Sequence, residues 1–137
     1  MPRLGFSCDQ SILWRHSMRD AKAQEISDGI LQMYRSRDAG FLAKMAADDF
    51  VFWDNVSVVE KTVDTIMTEF NQHVGQFESL DATPVRFEPL SDGFLLQYVV
   101  QGFVERDESA KDQHVCLIVR LKEGRIARID EYCDSGG

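Results

Sequence analysis

The spacing of hydrophobic and polar positions changes once along the chain. Up to Gly75, apolar side chains mostly recur every three or four residues, which is the period of a helix with one buried face. From Phe77 onward they form short runs typical of strands. Helices followed by an antiparallel meander is an α+β order. The pattern predicts N-terminal helices packed in a strongly curved, mainly antiparallel sheet, shaped like a cone whose open end admits a ligand.

Three helices are predicted in the first half of the chain, and each follows a residue suited to capping. These residues are Ser17, Asp38 and Thr62. The third helix is expected to end near Gly75, since glycine is frequent where helices terminate. Residues 1–18 are expected to form an irregular arm, and residues 19–137 a single domain.

Five strands are predicted around the helices. A short one stops at the turn-forming pair Asp54-Asn55, and two long ones form a hairpin around Ser91-Asp92-Gly93. A second hairpin closes near the end of the chain through a turn that contains Gly124. The predicted strands are Phe50–Trp53, Thr83–Leu90, Phe94–Arg106, His114–Leu121 and Ile126–Asp134.

The last strand carries the main candidate for chemistry. Alternation places Ile129, Glu131 and Cys133 on one face, so a carboxyl lies among apolar neighbours. Burial there raises its pKa because desolvation disfavours the charged form, and a carboxyl that titrates near neutrality serves as a general acid or base. In the alternative interpretation the carboxylate has no catalytic role: it either pairs with an arginine, which lowers its pKa, or lies in water. The candidate arginines are Arg120, Arg125 and Arg128.

The charge and the cysteine content indicate which classes of partner are not expected and which cellular compartment is favoured. The 137 residues include 15 Lys and Arg against 23 Asp and Glu, a formal net charge of −8. Nucleic acids and anionic membranes bind through basic patches, so neither is an expected partner. No apolar stretch approaches the roughly 20 residues of a membrane-spanning helix. Three widely spaced cysteines, an odd number, favour a reducing cytoplasm.

No cofactor and no metal are expected from the motifs. The chain has no glycine-rich phosphate loop, and its three histidines and three cysteines lack the paired spacings of zinc sites. His114 and Cys116 share one face of a strand, but residues two apart on a strand lie about 6.5–7 Å from each other. That distance is too long for a direct hydrogen bond, so they are not expected to form a catalytic pair.

The order of elements and two motifs resemble the SnoaL-like branch of the nuclear transport factor 2-like superfamily. That superfamily includes ketosteroid isomerase, polyketide cyclases and limonene epoxide hydrolase. The motifs are Phe50-Val51-Phe52-Trp53-Asp54-Asn55 and, from Gly124 to Asp134, Gly-Arg-Ile-x-x-Ile-x-Glu-Tyr-x-Asp. The resemblance covers roughly residues 19–134, and it implies the cone fold, an internal pocket and a dimer through the outer face of the sheet.

The resemblance also implies roles for individual positions. Glu131 stands where SnoaL-type cyclases and limonene epoxide hydrolase place a catalytic aspartate on the last strand. Trp53 and Asn55 stand where that hydrolase has a tyrosine and an asparagine that hold its attacking water. Its arginine and aspartate, two residues apart, correspond to Val99 and Gln101. Epoxide hydrolysis by that mechanism is therefore not expected.

The expected site is an apolar pocket in which Glu131 is the catalytic proton carrier, while Asn55 and Gln101 orient the substrate or a water molecule. Its walls are expected from Trp53, Met67, Phe70, Val99, Phe103, Val115, Leu117 and Cys133. The predicted function is cofactor-free acid–base chemistry on a small hydrophobic or cyclic molecule, as an isomerase, a cyclase or a hydratase/dehydratase. A ligand-binding protein without chemistry and a protein-interaction subunit are the alternatives, and the depth of the pocket separates the three.

A homodimer is expected from the outer face of the sheet. The residues assigned to that face are Tyr98, Val100, Gly102, Cys116 and Ile118. Monomeric proteins rarely expose a large contiguous apolar patch. A second copy that presents the same patch covers it through a two-fold interface.

Overall fold

The computed structural model describes the backbone of residues 6–104 and 109–134 and the side chains of residues 18–103 and 112–134. The described residues form three helices and six strands in the order of an α+β protein, with one strand more than predicted. Their bounds are α1 Phe6–Ser36, α2 Gly40–Met45, β1 Ala46–Asp54, β2 Glu60–Lys61, α3 Val63–Val74, β3 Ser79–Leu90, β4 Gly93–Val104, β5 Ser109–Lys122 and β6 Arg125–Cys133. No helix of the described part has the length and hydropathy needed to cross a membrane.

The six strands form one sheet in the order β2-β1-β6-β5-β4-β3. All neighbouring pairs are antiparallel except β1 and β6, which run parallel. The parallel pair places Asp54 beside Glu131, because these residues are directly opposite each other in the register. The predicted mainly antiparallel α+β architecture is confirmed.

The inner face of the sheet and the helices share one core. Alternate positions of β4 and β5 are almost fully buried, as in Leu96, Val119 and Tyr98. Ile26 of α1 is fully buried, and Ile66 of α3 belongs to the same cluster. Burying apolar surface of this kind contributes about 25 cal/mol per Å², so the contact between helices and sheet is the main source of stability.

The face predicted for β4 is wrong. Tyr98 pairs with Val115 across the β4–β5 hairpin, and directly paired residues point to the same side of a sheet. Val115 is buried inside as predicted, so Tyr98 is inside as well, and the intervening residues lie outside. Those residues are Val99, Gln101 and Phe103. A shift of one residue in the assumed register moves every side chain of a strand to the opposite face.

The same shift changes the outer surface on which a dimer was predicted. Tyr98 and Val100 are 2% and 3% exposed and belong to the core, so they cannot form a docking surface. Gly102 also faces inward, where the ring of Phe77 lies so close that a Cβ atom would meet it at 2.4 Å. Of the five residues assigned to the outer face, Cys116 and Ile118 remain there.

Helix α1 begins at Phe6 instead of near residue 19. Residues 6–18 are therefore helical where an irregular arm was predicted, and Ser17 lies inside the helix instead of capping it. No glycine or proline interrupts the sequence between Gly5 and Gly29, so nothing in this segment breaks a helix. Trp14, expected to anchor the arm, lies outside the residues whose side chains are described.

Local signals were the most accurate. The hydroxyl of Thr62 accepts a hydrogen bond from the amide of Thr65 and caps α3, which ends at Gly75 as predicted. In the last hairpin, Glu123 and Gly124 have φ values of 54° and 78°. Two consecutive positive φ angles characterise the two-residue turns that match the twist of paired strands.

Candidate functional site

A cavity of about 220 Å³ lies between the helices and the inner face of the sheet. Most of its wall is apolar, and it includes Phe52 of β1, Phe70 of α3 and Leu117 of β5. The polar lining residues come from six different elements, which the fold brings together from distant parts of the sequence. They are Tyr34, Asp54, Glu69, His73, Tyr98, Gln113 and Glu131.

Glu131 enters the cavity from β6. Burial raises the pKa of its carboxyl to about 7, and the negative charge of Asp54 acts in the same direction. The Cys133 thiol, which donates a hydrogen bond to it, and the ammonium of Lys61 oppose this shift only in part. Near neutral pH the carboxyl is therefore divided between its protonated and ionised forms.

The three arginines that might have neutralised Glu131 have other partners. Arg120 pairs with Asp92 at 2.8 Å, and Arg128 pairs with Glu60 and Asp130, both at 2.9 Å. The guanidinium of Arg125 donates to the carbonyls of Lys44 and Ala46. The arginine-paired interpretation of Glu131 is therefore wrong.

Asp54 lines the cavity beside Glu131, but its surroundings lower its pKa instead of raising it. Its carboxylate accepts hydrogen bonds from the amides of Val56 and Ser57, at 3.0 and 2.6 Å, and from the Ser57 hydroxyl at 3.1 Å. Burial alone would raise the pKa of Asp54, but these bonds and the Lys61 ammonium at 3.2 Å outweigh it and lower the pKa. Asp54 is thus a fixed negative charge.

Lys61 links Asp54 to helix α3. Its Nζ lies 2.8 Å from Glu69 Oε1 and 3.2 Å from Asp54 Oδ2. The hydrogen bond that Lys61 donates to Glu69 is the largest cause of the raised pKa of Lys61, and Asp54 adds to it. The side chains of Lys61 and Asp54 are only 15% and 10% exposed, so this ion pair is shielded from water, whereas the Glu69 side chain is 49% exposed.

Two tyrosines face each other in the cavity wall. The hydroxyls of Tyr34, from α1, and Tyr98, from β4, lie 2.9 Å apart in a buried hydrogen bond. Burial raises the pKa of both phenols, and the neighbouring Glu131 adds to the shift. Both therefore stay protonated at any physiological pH and present fixed dipoles to the cavity.

Two further titratable groups border the site. Burial lowers the pKa of His73, whose ring packs edge-on against Phe77 at 5.2 Å, so the imidazole is mainly neutral near pH 7. Burial and the adjacent carboxyl of Glu131 raise the pKa of the Cys133 thiol to about 11. A protonated thiol is a poor nucleophile, so Cys133 acts as a hydrogen-bond donor.

The structure brings together only part of the predicted site. Glu131, Phe70, Val115 and Leu117 line the cavity, while Met67 packs against the core beside it. The other predicted residues lie elsewhere. Val99, Gln101 and Phe103 face outward, Trp53 packs on Tyr132 on the outer face at 5.4 Å, and Cys133 reaches the site only through its bond to Glu131.

Asn55 has a structural position outside the cavity. Its amide nitrogen donates to the Cys133 carbonyl at 3.1 Å, and its amide oxygen accepts from the Cys133 backbone N–H at 2.9 Å. Both polar ends of the side chain therefore tie the end of β1 to the end of β6. Asn55 does not line the cavity that contains Glu131, so the structure does not place it where it was expected to orient a water molecule.

Several residues of the cavity were not predicted as site residues. Asp54 follows Phe50 and Phe52 at strand spacing, which indicates an inward carboxylate, but its position before Asn55 favoured a turn. Tyr34 and Tyr98 belong to buried apolar stripes, so their hydroxyls carried no separate signal. Lys61 reaches Asp54 only through the pairing of β1 with the two-residue strand β2, which no local pattern shows.

Metal binding has no support in the geometry. Within the described ranges, no three His, Cys, Asp or Glu side chains approach each other closely enough to hold an ion. The polar groups of the cavity are carboxyls, phenols, an amide and an imidazole set in a mainly apolar wall. Such an arrangement is suited to proton transfer and to the orientation of a small organic molecule.

Comparison with known proteins identifies the fold. No protein-family model and no curated protein sequence matches the chain. An NTF2-like protein from Anabaena variabilis superposes with a TM-score of 0.73 at 15% identity, over 87% of this chain and 91% of that one. The chain thus has the NTF2-like fold, and the resemblance seen in the sequence is confirmed at the level of fold.

Other structures of this fold belong to proteins with different descriptions. An epoxide hydrolase of M. tuberculosis, described as LEH-like, has a TM-score of 0.66 at 16% identity, over 83% of this chain and 84% of its own. A protein of ketosteroid isomerase-like fold from Catenulispora acidiphila, solved in complex with trimethylamine, has a TM-score of 0.68 at 15% identity, over 79% and 84%. At these identities the similarity establishes the fold and no particular activity.

Proposed function

We propose that the cavity binds a small, mainly apolar or cyclic molecule and that Glu131 transfers a proton to or from it. The observation that carries this proposal is the Glu131 carboxyl, which lines a cavity large enough for a ligand. Burial raises its pKa to about 7. A group with a pKa near the working pH is present in both the form that donates and the form that accepts. The reaction class is cofactor-free isomerisation, cyclisation, hydration or dehydration.

The surrounding groups supply the rest of the chemistry. When Glu131 accepts a proton from a carbon atom, negative charge develops on the substrate, and the neutral phenols of Tyr34 and Tyr98 line the same cavity as hydrogen-bonding dipoles. Asp54 cannot compete for the proton, because its carboxylate is already stabilised by Lys61 and backbone amides. The apolar wall excludes water, which strengthens each of these interactions.

The test is a ligand screen followed by kinetics. A library of small cyclic ketones, enols and epoxides is screened by thermal shift, since a ligand that binds only the folded state raises its stability. Compounds that bind are then assayed for turnover and for exchange of hydrogen with deuterium. Glu131→Gln should keep binding and lose exchange and turnover; unchanged exchange in this variant would contradict the catalytic role.

A ligand-binding protein without chemistry is the second candidate. It is favoured by one observation: the side chain of Asn55, expected to hold a water molecule, bonds to Cys133 and does not line the cavity. A compound that binds in the cavity without any Glu131-dependent exchange would support this alternative. A cavity that binds no compound would instead favour the protein-interaction subunit.

We also propose a homodimer in a reducing compartment, the cytoplasm. The outer face of the sheet still presents apolar side chains, including Ile118, Trp53 and Phe103, the last of which is 37% exposed. Cys116 and Cys133 are free thiols on opposite sides of the sheet, so they do not pair with each other. Both features support the proposal, and sedimentation tests the assembly.

A further inference from the structure

Four aromatic rings form a corner of the cavity. The aromatic wall comprises Tyr34, Phe52, Phe70 and Tyr98. The Tyr34 ring lies 5.1 Å from that of Phe70 at 71° and 5.6 Å from that of Tyr98 at 58°. The rings of Tyr34, Phe70 and Tyr98 thus pack against one another at different angles, so they form a continuous aromatic surface of the cavity wall whose members do not all face the same way.

The charges bordering the aromatic wall are mostly negative. Asp54 and Glu69 share the single ammonium of Lys61, which leaves one negative charge in excess. Glu131 makes no ion pair with any residue of the described ranges, and it adds a second negative charge whenever it ionises. The whole chain carries a formal net charge of −8, which attracts cations and repels anions on approach.

We propose that the ligand of this cavity is a small organic cation, an ammonium ion that carries methyl or other apolar substituents and has the size of choline. The inference rests on the proposed function only in taking this cavity as the ligand site. Aromatic faces attract cations through their quadrupole, and they favour substituted ammonium ions, which lose little hydration on entry. A neutral ligand would fill the same wall but would leave the excess negative charge uncompensated.

Binding of a cation is coupled to the ionisation of Glu131. The charged or titratable groups that face Glu131 are Asp54, Lys61, Glu69, His73, Tyr34, Tyr98 and Cys133. The pKa values of Asp54 and His73 are lowered and those of Lys61, the tyrosines and the thiol are raised, so all of these groups are shifted away from the range in which Glu131 loses its proton. Affinity for a cation should therefore rise with pH as Glu131 loses its proton.

The test compares two probes that differ only in charge. Choline and 3,3-dimethylbutan-1-ol have the same shape, but a carbon replaces the quaternary nitrogen in the second. Titration calorimetry on the full chain at about pH 8.5 should show that choline binds at least about tenfold more tightly than the alcohol. Lowering the pH to about 5.5 should weaken the binding of choline about tenfold. Tetramethylammonium and benzyltrimethylammonium bracket the size of the cavity.

Variants test separately what the Glu131 carboxyl and the aromatic wall contribute to the binding of choline. Glu131→Gln should weaken choline binding at high pH and remove most of its pH dependence, while Glu88→Gln, at an exposed carboxylate paired with Arg86, should change nothing. His73→Gln should retain the pH dependence. Phe70→Leu should weaken the binding of choline about fivefold, and it should weaken the binding of the alcohol less.

The matched aromatic control is Phe87→Leu, because the Phe87 ring packs on Phe94 at 5.4 Å and does not line the cavity. Binding of none of the three cations, or equal binding of choline and the alcohol, would overturn the inference. The proposed function is judged separately. A neutral cyclic compound that binds and exchanges hydrogen through Glu131 would preserve proton transfer while excluding the cation.

Discussion

Glu131 and Asp54 lie on neighbouring strands of the same face, yet they differ in protonation near neutral pH. Both are removed from water, so burial alone does not separate them. The difference lies in hydrogen bonding: Asp54 accepts bonds from two amides, a hydroxyl and an ammonium, whereas Glu131 receives one from a thiol. Two carboxyls with separated pKa values provide one fixed charge and one proton carrier.

Replacement of Glu131 by Gln should stabilise the protein above neutral pH. The folded-state pKa is raised from 4.5 to about 7, so below pH 4.5 both states are protonated and the carboxyl has no effect. Between these values the unfolded chain ionises first, and the free energy of unfolding falls as pH rises. Urea denaturation should show Glu131→Gln equal to wild type near pH 4 and more stable by about 2–3 kcal/mol near pH 8.

The opposite result has a clear meaning. A carboxylate held by a cation has a lowered folded-state pKa, and its replacement destabilises the protein at neutral pH. A Glu131→Gln variant less stable than wild type at pH 8 would therefore show that Glu131 is ionised and paired in solution. Glu88→Gln serves as the exposed control, with a change close to zero at both pH values.

At the scale of elements, a strand of two residues determines the electrostatics of the site. Strand β2 pairs with β1 only through Phe52–Lys61 and Trp53–Glu60. That pairing brings Lys61 to Asp54, and Glu69 of α3 holds the ammonium from the other side. Strand β2 directly precedes the cap of α3. A change in the pairing of β2 with β1 should therefore affect both the start of α3 and the charge of Asp54.

Lys61→Met should destabilise the protein and also raise the pKa of Glu131. The substitution leaves the Asp54 carboxylate, whose side chain is only 10% exposed, without its cation, which costs about 3 kcal/mol, while the half-exposed Glu69 is solvated by water. It also removes a positive charge that opposes the raised pKa of Glu131. Chemical denaturation measures the first effect and carbon-detected NMR titration the second.

The matched control for that variant is Lys122→Met. Lys122 lies 3.8 Å from Asp49, and both side chains are more than 60% exposed, at 63% and 68%. An exposed pair of this kind contributes less than about 1 kcal/mol. Equal destabilisation by the two substitutions, or an unchanged Glu131 titration in Lys61→Met, would contradict the role assigned to the network.

The same difference between local and distant contacts explains what the sequence could predict. Thr62 and Gly124 were recognised correctly because capping and tight turns depend on a few adjacent residues. The inner position of Glu131 followed from alternation within one strand. The face of Val99 was missed because it depends on how β4 pairs with β5, and a register is set by contacts between whole strands.

At the scale of the molecule, the sheet separates two apolar surfaces. Its inner face is covered by the helices and holds the cavity. Its outer face carries half-buried or exposed apolar side chains without a covering layer in the described part of the chain. They are Val51, Trp53, Leu95, Val99, Phe103, Cys116, Ile118 and Tyr132. This outer patch replaces the one predicted from the wrong face of β4.

The outer patch should hold two copies together, and Ile118→Arg should separate them. Ile118 lies on β5 between Leu95 of β4 and Asp130 of β6, so an arginine there places a charge inside the proposed interface. Sedimentation velocity at micromolar concentration should show a dimer for wild type and a monomer for Ile118→Arg. Val59→Arg, at a position 55% exposed in the loop before β2, should remain a dimer.

Because Ile118 points away from the cavity, the separated Ile118→Arg chain should keep its fold and its Glu131 titration. That independence is the informative part of the experiment. If the monomer loses the raised pKa of Glu131, the partner contributes to the closure of the cavity, and ligand binding must be studied on the dimer. If wild type sediments as a monomer over the whole concentration range, the outer patch is not a self-association surface.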